Sequence, residues 1–278
     1  MSVEPTLPDS QTAPEQLQVL LGRVIREPAL RDRVERDPDA TLAELGLDEA
    51  ARVAILGYGV ERLLAYHFMA HARLYETISA FCGAAAKVLG PHRMHDEVRA
   101  WIDERGPKTA ILRNVPEEFV AWAVPRWAAD PELPPWLGPL AAHEVLKRTI
   151  RNDPRSVGEQ NQIKIDLERP IACNGTARLL RYAWDLHRFP PTPEPGAEPE
   201  VGTFNLVGYR HADERTRFVQ LEPRAAALLE RLLAGQTLRA ALFGACEALG
   251  EALDDNILAS TALTLADLVD RHILLGGT

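Results

Sequence analysis

Residues 203–221 read TFNLVGYRHADERTRFVQL, and this stretch decides the fold of the second half of the chain. Two runs rich in Val, Phe, Tyr, Thr and Leu, 203–210 and 215–221, flank the polar string His211-Ala-Asp-Glu214, which is the pattern of a β-hairpin. A hairpin alone is marginal in water and needs neighbouring strands. Candidates lie upstream, where Ile163, Ile165 and Leu167 alternate with polar residues, as do Leu180, Tyr182, Trp184 and Leu186. Downstream the period becomes helical: Pro223–Ala234 stops at Gly235, Thr237 caps Leu238–Leu249, and Ala259–Arg271 precedes the short run His272–Leu275. Strands, then three helices, then a short extended piece is the order of a winged-helix-like module.

The residues before this module carry helical periodicity instead. Helices are expected at Leu17–Ile25, Ala29–Arg36 and Asp39–Gly46, then over 48–89, Asp96–Glu104, Glu117–Ala129 and Leu137–Ile150. Gly57 and Gly59 weaken the long stretch locally and predict a break or a close packing contact there. The polar string RNDPRSVGEQN, 151–161, separates the two periodicities. The expected organisation is therefore a disordered tail over 1–14, an all-α domain over 15–155 and an α+β domain over 160–278. Within the last, FPPTPEPGAEPE (189–200), with five prolines and three glutamates, is read as a long solvated loop.

The chain has 278 residues, 46% hydrophobic and 26% charged, which excludes a fully disordered, collagen-like or disulfide-scaffold protein. Its net charge of −9 gives no global positive field for phosphate backbones or anionic lipid. Residues 203–278 hold seven arginines, no lysine and ten carboxylates, and Ala259–Arg271 sets Asp267 and Asp270 against Arg271. A DNA-reading domain normally presents a basic face, so nucleic acid is disfavoured as a partner. No apolar window long enough to span a membrane and no signal peptide are found, and Cys82, Cys173 and Cys246 are too few and too far apart for a disulfide framework or a zinc finger. A cytoplasmic location follows as the expectation.

Catalytic motifs are missing: there is no GxGxxG, GxxxxGK[ST], HExxH or GxSxG. His67 and His71 stand at i, i+4, a spacing that can place two imidazoles on one metal, but both also fall on an apolar helical stripe and are read as packing. His92 and His95 bracket Met94 and are read as a solvated turn. The three cysteines sit beside small or apolar residues and are read as buried thiols. Trp101, Trp122, Trp127 and Trp136 cluster as a core or a partner surface would require.

Taken together, LLAYHFMAHARLYETISAF, VLGPHRMHDEVRAWIDERGPKTAILRNVPEEFVAWA and LPPWLGPLAAHEVLKRTI resemble the N-terminal helical domain of a bacterial family described as DNA-binding. That family includes the partner subunits of multinuclear non-heme iron-dependent oxidases, such as those of methanobactin biosynthesis. The likeness spans roughly residues 60–150 and continues in FNLVGYRHADERTRFVQLEPRAAALLERLLAGQTLRAAL and ALTLADLVDRHILLG, which resemble the family's C-terminal module. Residues 15–56 lie outside it and look like the helical leader segments of some modified-peptide precursors.

The resemblance implies a non-catalytic accessory subunit. It would bind the leader of a ribosomally made precursor peptide and an iron-dependent peptide-modifying oxidase, with iron in the oxidase and no cofactor in this chain. It also implies a groove between the third strand and the third helix of the module, here Arg215–Leu221 and Ala259–Arg271. The peptide-binding residues carried over are Arg215, Arg217 and Val219 on the strand and Leu265, Leu268 and Val269 on the helix. An exposed strand edge can accept an extended peptide by β-augmentation. The same pattern equally suits core apolar residues and solvated arginines. The alternative function is a winged-helix DNA-binding transcriptional regulator. The third is a metal-dependent enzyme built on His67 and His71.

Overall fold

Aspartate side chains start two of the first helices: Asp37 accepts from the Ala40 N–H and Asp48 from the Ala51 N–H, at 3.2 and 2.7 Å. The computed structural model describes residues 13–278 and is α+β. The chain divides into two compact units, Met1–Pro131 and Glu132–Thr278. The expected tail lies outside the described residues, except Ala13 and Pro14, which open the first helix.

The first unit is helical: α1 (Ala13–Arg26), α2 (Pro28–Arg36), α3 (Pro38–Glu44), α4 (Glu49–Tyr58), α5 (Val60–Phe81), α6 (Gly83–Leu89), α7 (Pro91–Glu104), a 3-10 turn at Leu112–Asn114, and α8 (Val115–Ala129). The break predicted at the glycine pair falls at Gly59, whose φ of 92° ends α4. Leu20, Val24, Leu30, Val34, Leu42, Ile55 and Leu63 bury a core shared by α1 to α5. Farther along, Phe119 of α8 meets the rings of Trp101, Trp122 and Trp127 at 5.9–6.0 Å, and all three tryptophans are buried. They are core side chains.

The second unit comprises α9 (Leu137–Arg151), β1 (Ile171–Cys173), β2 (Arg178–Trp184), β3 (Val201–Arg210), β4 (Thr216–Leu221), α10 (Pro223–Leu233), α11 (Leu238–Leu249), α12 (Asp255–Asp270) and β5 (Leu274–Gly277). The division at residues 131/132 differs from the expected boundary at 155–160. The reason is that α9 packs on β3 and β4 instead of completing the helical unit. β2, β3 and β4 form an antiparallel sheet in that order, and β1 pairs with β5. One sheet face, with Leu179, Val207, Tyr209, Val219 and Leu221, joins the core of α10 to α12, while Gly208 of the other face abuts Ile150 of α9. With both faces covered, β3 is buried without interruption from Phe204 to Tyr209.

The strand expected at Ile163–Leu167 is absent. This stretch runs extended beside β5, where Asn161 N–H donates to Leu275 O and Gly277 N–H to Ile163 O, both at 2.9 Å or less. The Asn161 side chain then takes the Gly277 carbonyl and the Ile163 N–H for itself, so no continuous ladder develops. Between β2 and β3, the proline-rich residues leave the sheet and return where Asp185 N–H donates to Glu200 O.

Candidate functional site

β4 is an edge strand, and its hydrogen-bonding alternation follows from the hairpin that starts it. His211 N–H donates to Arg215 O, Glu214 N–H donates to His211 O, and Glu214 takes φ 63°, a bulge that puts residues 211 and 215 opposite each other. With Tyr209 opposite Arg217 and Val207 opposite Val219, these are the hydrogen-bonded pairs. The main-chain groups of Thr216, Phe218 and Gln220 therefore point away from β3, and among the described residues no main-chain hydrogen bond takes them up.

The six carried-over residues fall into three environments. Arg215 and Arg217 are exposed, Arg217 pairing with Asp213 at 2.8 Å. Val219, Leu265 and Val269 are half-buried and lean on the core of the second unit. Leu268 is a correction: at 0% exposure it lies within that core, because its helical position turns it inward with Ile257 and Thr261, and no ligand can reach it.

The hairpin end of the edge groups charged side chains around Tyr209, a residue that the sequence reading did not single out. Around buried Tyr209 lie Arg217, Arg271, Asp267 and Asp213, and Arg271 pairs with Asp267 at 2.8 Å. Burial pushes the Tyr209 hydroxyl up despite the two arginines. Partial desolvation raises the Asp213 carboxyl, but the Arg215 N–H and the Arg217 guanidinium outweigh it and hold it at about 2. The available signal was the strand period, which puts Tyr209 and Arg217 on one face.

Behind the sheet, α9 brings a second cluster. His143 Nδ1 lies 3.1 Å from the Tyr182 hydroxyl, and its ring is 4.9 Å from that of Phe218 and 5.7 Å from that of His187. Burial, with His187 and Lys147 nearby, pushes His143 down to about 4, and burial pushes Tyr182 up to about 12. Both groups are neutral at pH 7.

The His67 and His71 rings lie 4.0 Å apart, tilted by 41° to each other. Arg31 stands 3.3 Å from His67 Nε2 and Ile25 O stands 3.1 Å from His71 Nε2, so both Nε2 atoms are committed. Burial, the neighbouring His71 and Arg31 push His67 down to about 4. Among the described residues, no three His, Cys, Asp or Glu side chains are grouped to hold a metal ion. Cys82 and Cys246 are buried, and burial pushes the Cys173 thiol up to about 11, the opposite of an activated nucleophile. His92 and His95 are exposed, but they stand on α7 and not in a turn, because Pro91 opens that helix ahead of both. No helix among the described residues is long and apolar enough to cross a membrane.

The model of the HvfC C-terminal domain family matches residues 174–269. The matched stretch contains the β2-β3-β4 sheet, α10, α11, nearly all of α12 and all six candidate residues, and it leaves out α9. No curated protein matches the chain.

Proposed function

We propose that this chain is a non-catalytic accessory subunit that holds the leader of a ribosomally made precursor peptide for an iron-dependent peptide-modifying oxidase. The observation that carries this reading is the coincidence of the HvfC C-terminal domain match with an open strand edge in the same residues. Strand addition uses such an edge directly, main-chain hydrogen bonds giving affinity and flanking side chains giving selectivity. The iron belongs to the oxidase in this reading, and the helical unit docks on it. The location is the cytoplasm, where Cys82, Cys173 and Cys246 stay reduced.

Co-expression with a candidate multinuclear iron oxidase from the same genome, followed by size-exclusion chromatography with and without a candidate precursor, tests it. The expected result is a ternary complex from which Arg217→Glu loses the peptide and keeps the oxidase. A chain that elutes alone and shifts a promoter fragment at moderate salt would overturn the proposal in favour of a transcriptional regulator.

A further inference from the structure

Three residues with exposed cationic side chains have their main chain near one end of the open edge. Arg215 is the chain neighbour of Thr216, the first residue of β4. Lys147 of α9 accepts the Thr216 hydroxyl on its carbonyl at 2.7 Å. Arg151, the last residue of α9, accepts Arg210 Nη1 on its carbonyl at 2.9 Å, and Arg210 is the cross-strand partner of Thr216. All three side chains are exposed, and among the described residues none has an ion pair. The acids nearby are already engaged, Asp213 by Arg217 and His211, and Glu214 by Arg210. At the other end the charges are matched: Arg188 pairs with Asp185 and donates to Gln220 Oε1.

We infer that the β4 edge takes an extended peptide bearing carboxylate side chains at the end that lies against Thr216, and that α9 supplies this selectivity. The inference rests on the peptide-holding reading above and adds the chemistry of the peptide to it. Exposed donors and acceptors in a row suit a peptide main chain, and three exposed cations without ion pairs, carried by residues at this end of a chain of net charge −9, favour an anionic segment there over elsewhere. Two of the three cations stand on α9, outside the matched residues 174–269, so the charge preference is separable from the strand-adding module.

The test is selection of a random peptide library, displayed on its encoding nucleic acid, against the purified full chain and against K147E/R151E/R215E. Wild type is expected to enrich Asp- and Glu-containing peptides. A selected acidic peptide should lose roughly tenfold or more in affinity on the triple variant, less so near 0.5 M salt. Main-chain N-methylation at alternate positions should abolish its binding. Circular dichroism checks the variant's folding, and Lys147→Ala alone, with a smaller loss in the same direction, serves if the triple variant does not fold. Enrichment of peptides without acidic bias overturns the inference and leaves the peptide-holding reading standing. Failure to enrich any peptide overturns both. Equal binding of single-stranded DNA with the same loss on the variant shows a generic polyanion patch and also overturns the inference.

Discussion

Gly208, near the C-terminal end of β3, lies so close to Ile150 of α9 that a Cβ built on it would stand 2.8 Å from Ile150 Cδ1 and 2.8 Å from Phe218 Cε1. This approach lets a helix cover the second face of the sheet, and it gives the first prediction. Gly208→Ala should destabilise the second unit by about 1–3 kcal/mol through overpacking, as read by urea unfolding. A neutral effect would mean that α9 yields at this contact.

Leu268 separates core from groove. Leu268→Ala should cost about 2–5 kcal/mol of stability because it empties a fully buried position. Peptide affinity measured where the variant is still folded should stay near wild type. A selective loss of peptide with stability intact would restore Leu268 to the groove wall.

Asp153 ties the end of α9 to the sheet. Its carboxylate is 3% exposed and accepts from Arg155 at 2.7 Å and Arg178 at 2.6 Å. The Arg155 hydrogen bond, aided by Arg178 and opposed by desolvation, holds its pKa well below the usual carboxylate range. With the folded value depressed, its stabilisation is present above about pH 4 and is lost as acid protonates the folded state. Asp153→Asn should therefore cost about 1–3 kcal/mol at pH 7, a difference that narrows under acid denaturation.

His143 reports the α9 contact by its protonation. Its folded value of about 4 lies below the free value of about 6.5, so the unfolded chain binds the proton first. Stability should rise with pH between those values, by up to about 3 kcal/mol from this group, and flatten above neutrality. An NMR titration of the imidazole should find it neutral at pH 5.5. A midpoint near the free value would sink the prediction, and His143→Gln should remove this part of the pH dependence.

Gln220 tests the edge itself. Its N–H points outward, so Gln220→Pro removes an edge donor without touching the β3-β4 ladder. The variant should stay folded and lose binding of a selected peptide by roughly tenfold or more. Undiminished binding would show that the peptide does not add to β4.

Much of this was legible from residue order alone. The hairpin at 203–221 was readable because two β-rich runs flank one polar turn, and α10 to α12 because glycine, threonine and proline punctuate a helical period. The apolar run 163–167 misled because alternation records which side chains could face a core, not whether a partner backbone completes a ladder. There the Asn161 side chain competes for it. Of the histidine pair read as packing from its stripe, His67 is buried and His71 is half-buried.

The sequence by itself determined the α+β class, the hairpin with its edge strand and the three helices after it, because these depend on neighbours within a few positions. Only the tertiary structure decided that α9 belongs with the sheet, that Leu268 is core, and that the carbonyls of Lys147 and Arg151 take up Thr216 and Arg210. Those facts rest on pairings between residues about 60 positions apart or more, which packing selects and which no local period encodes.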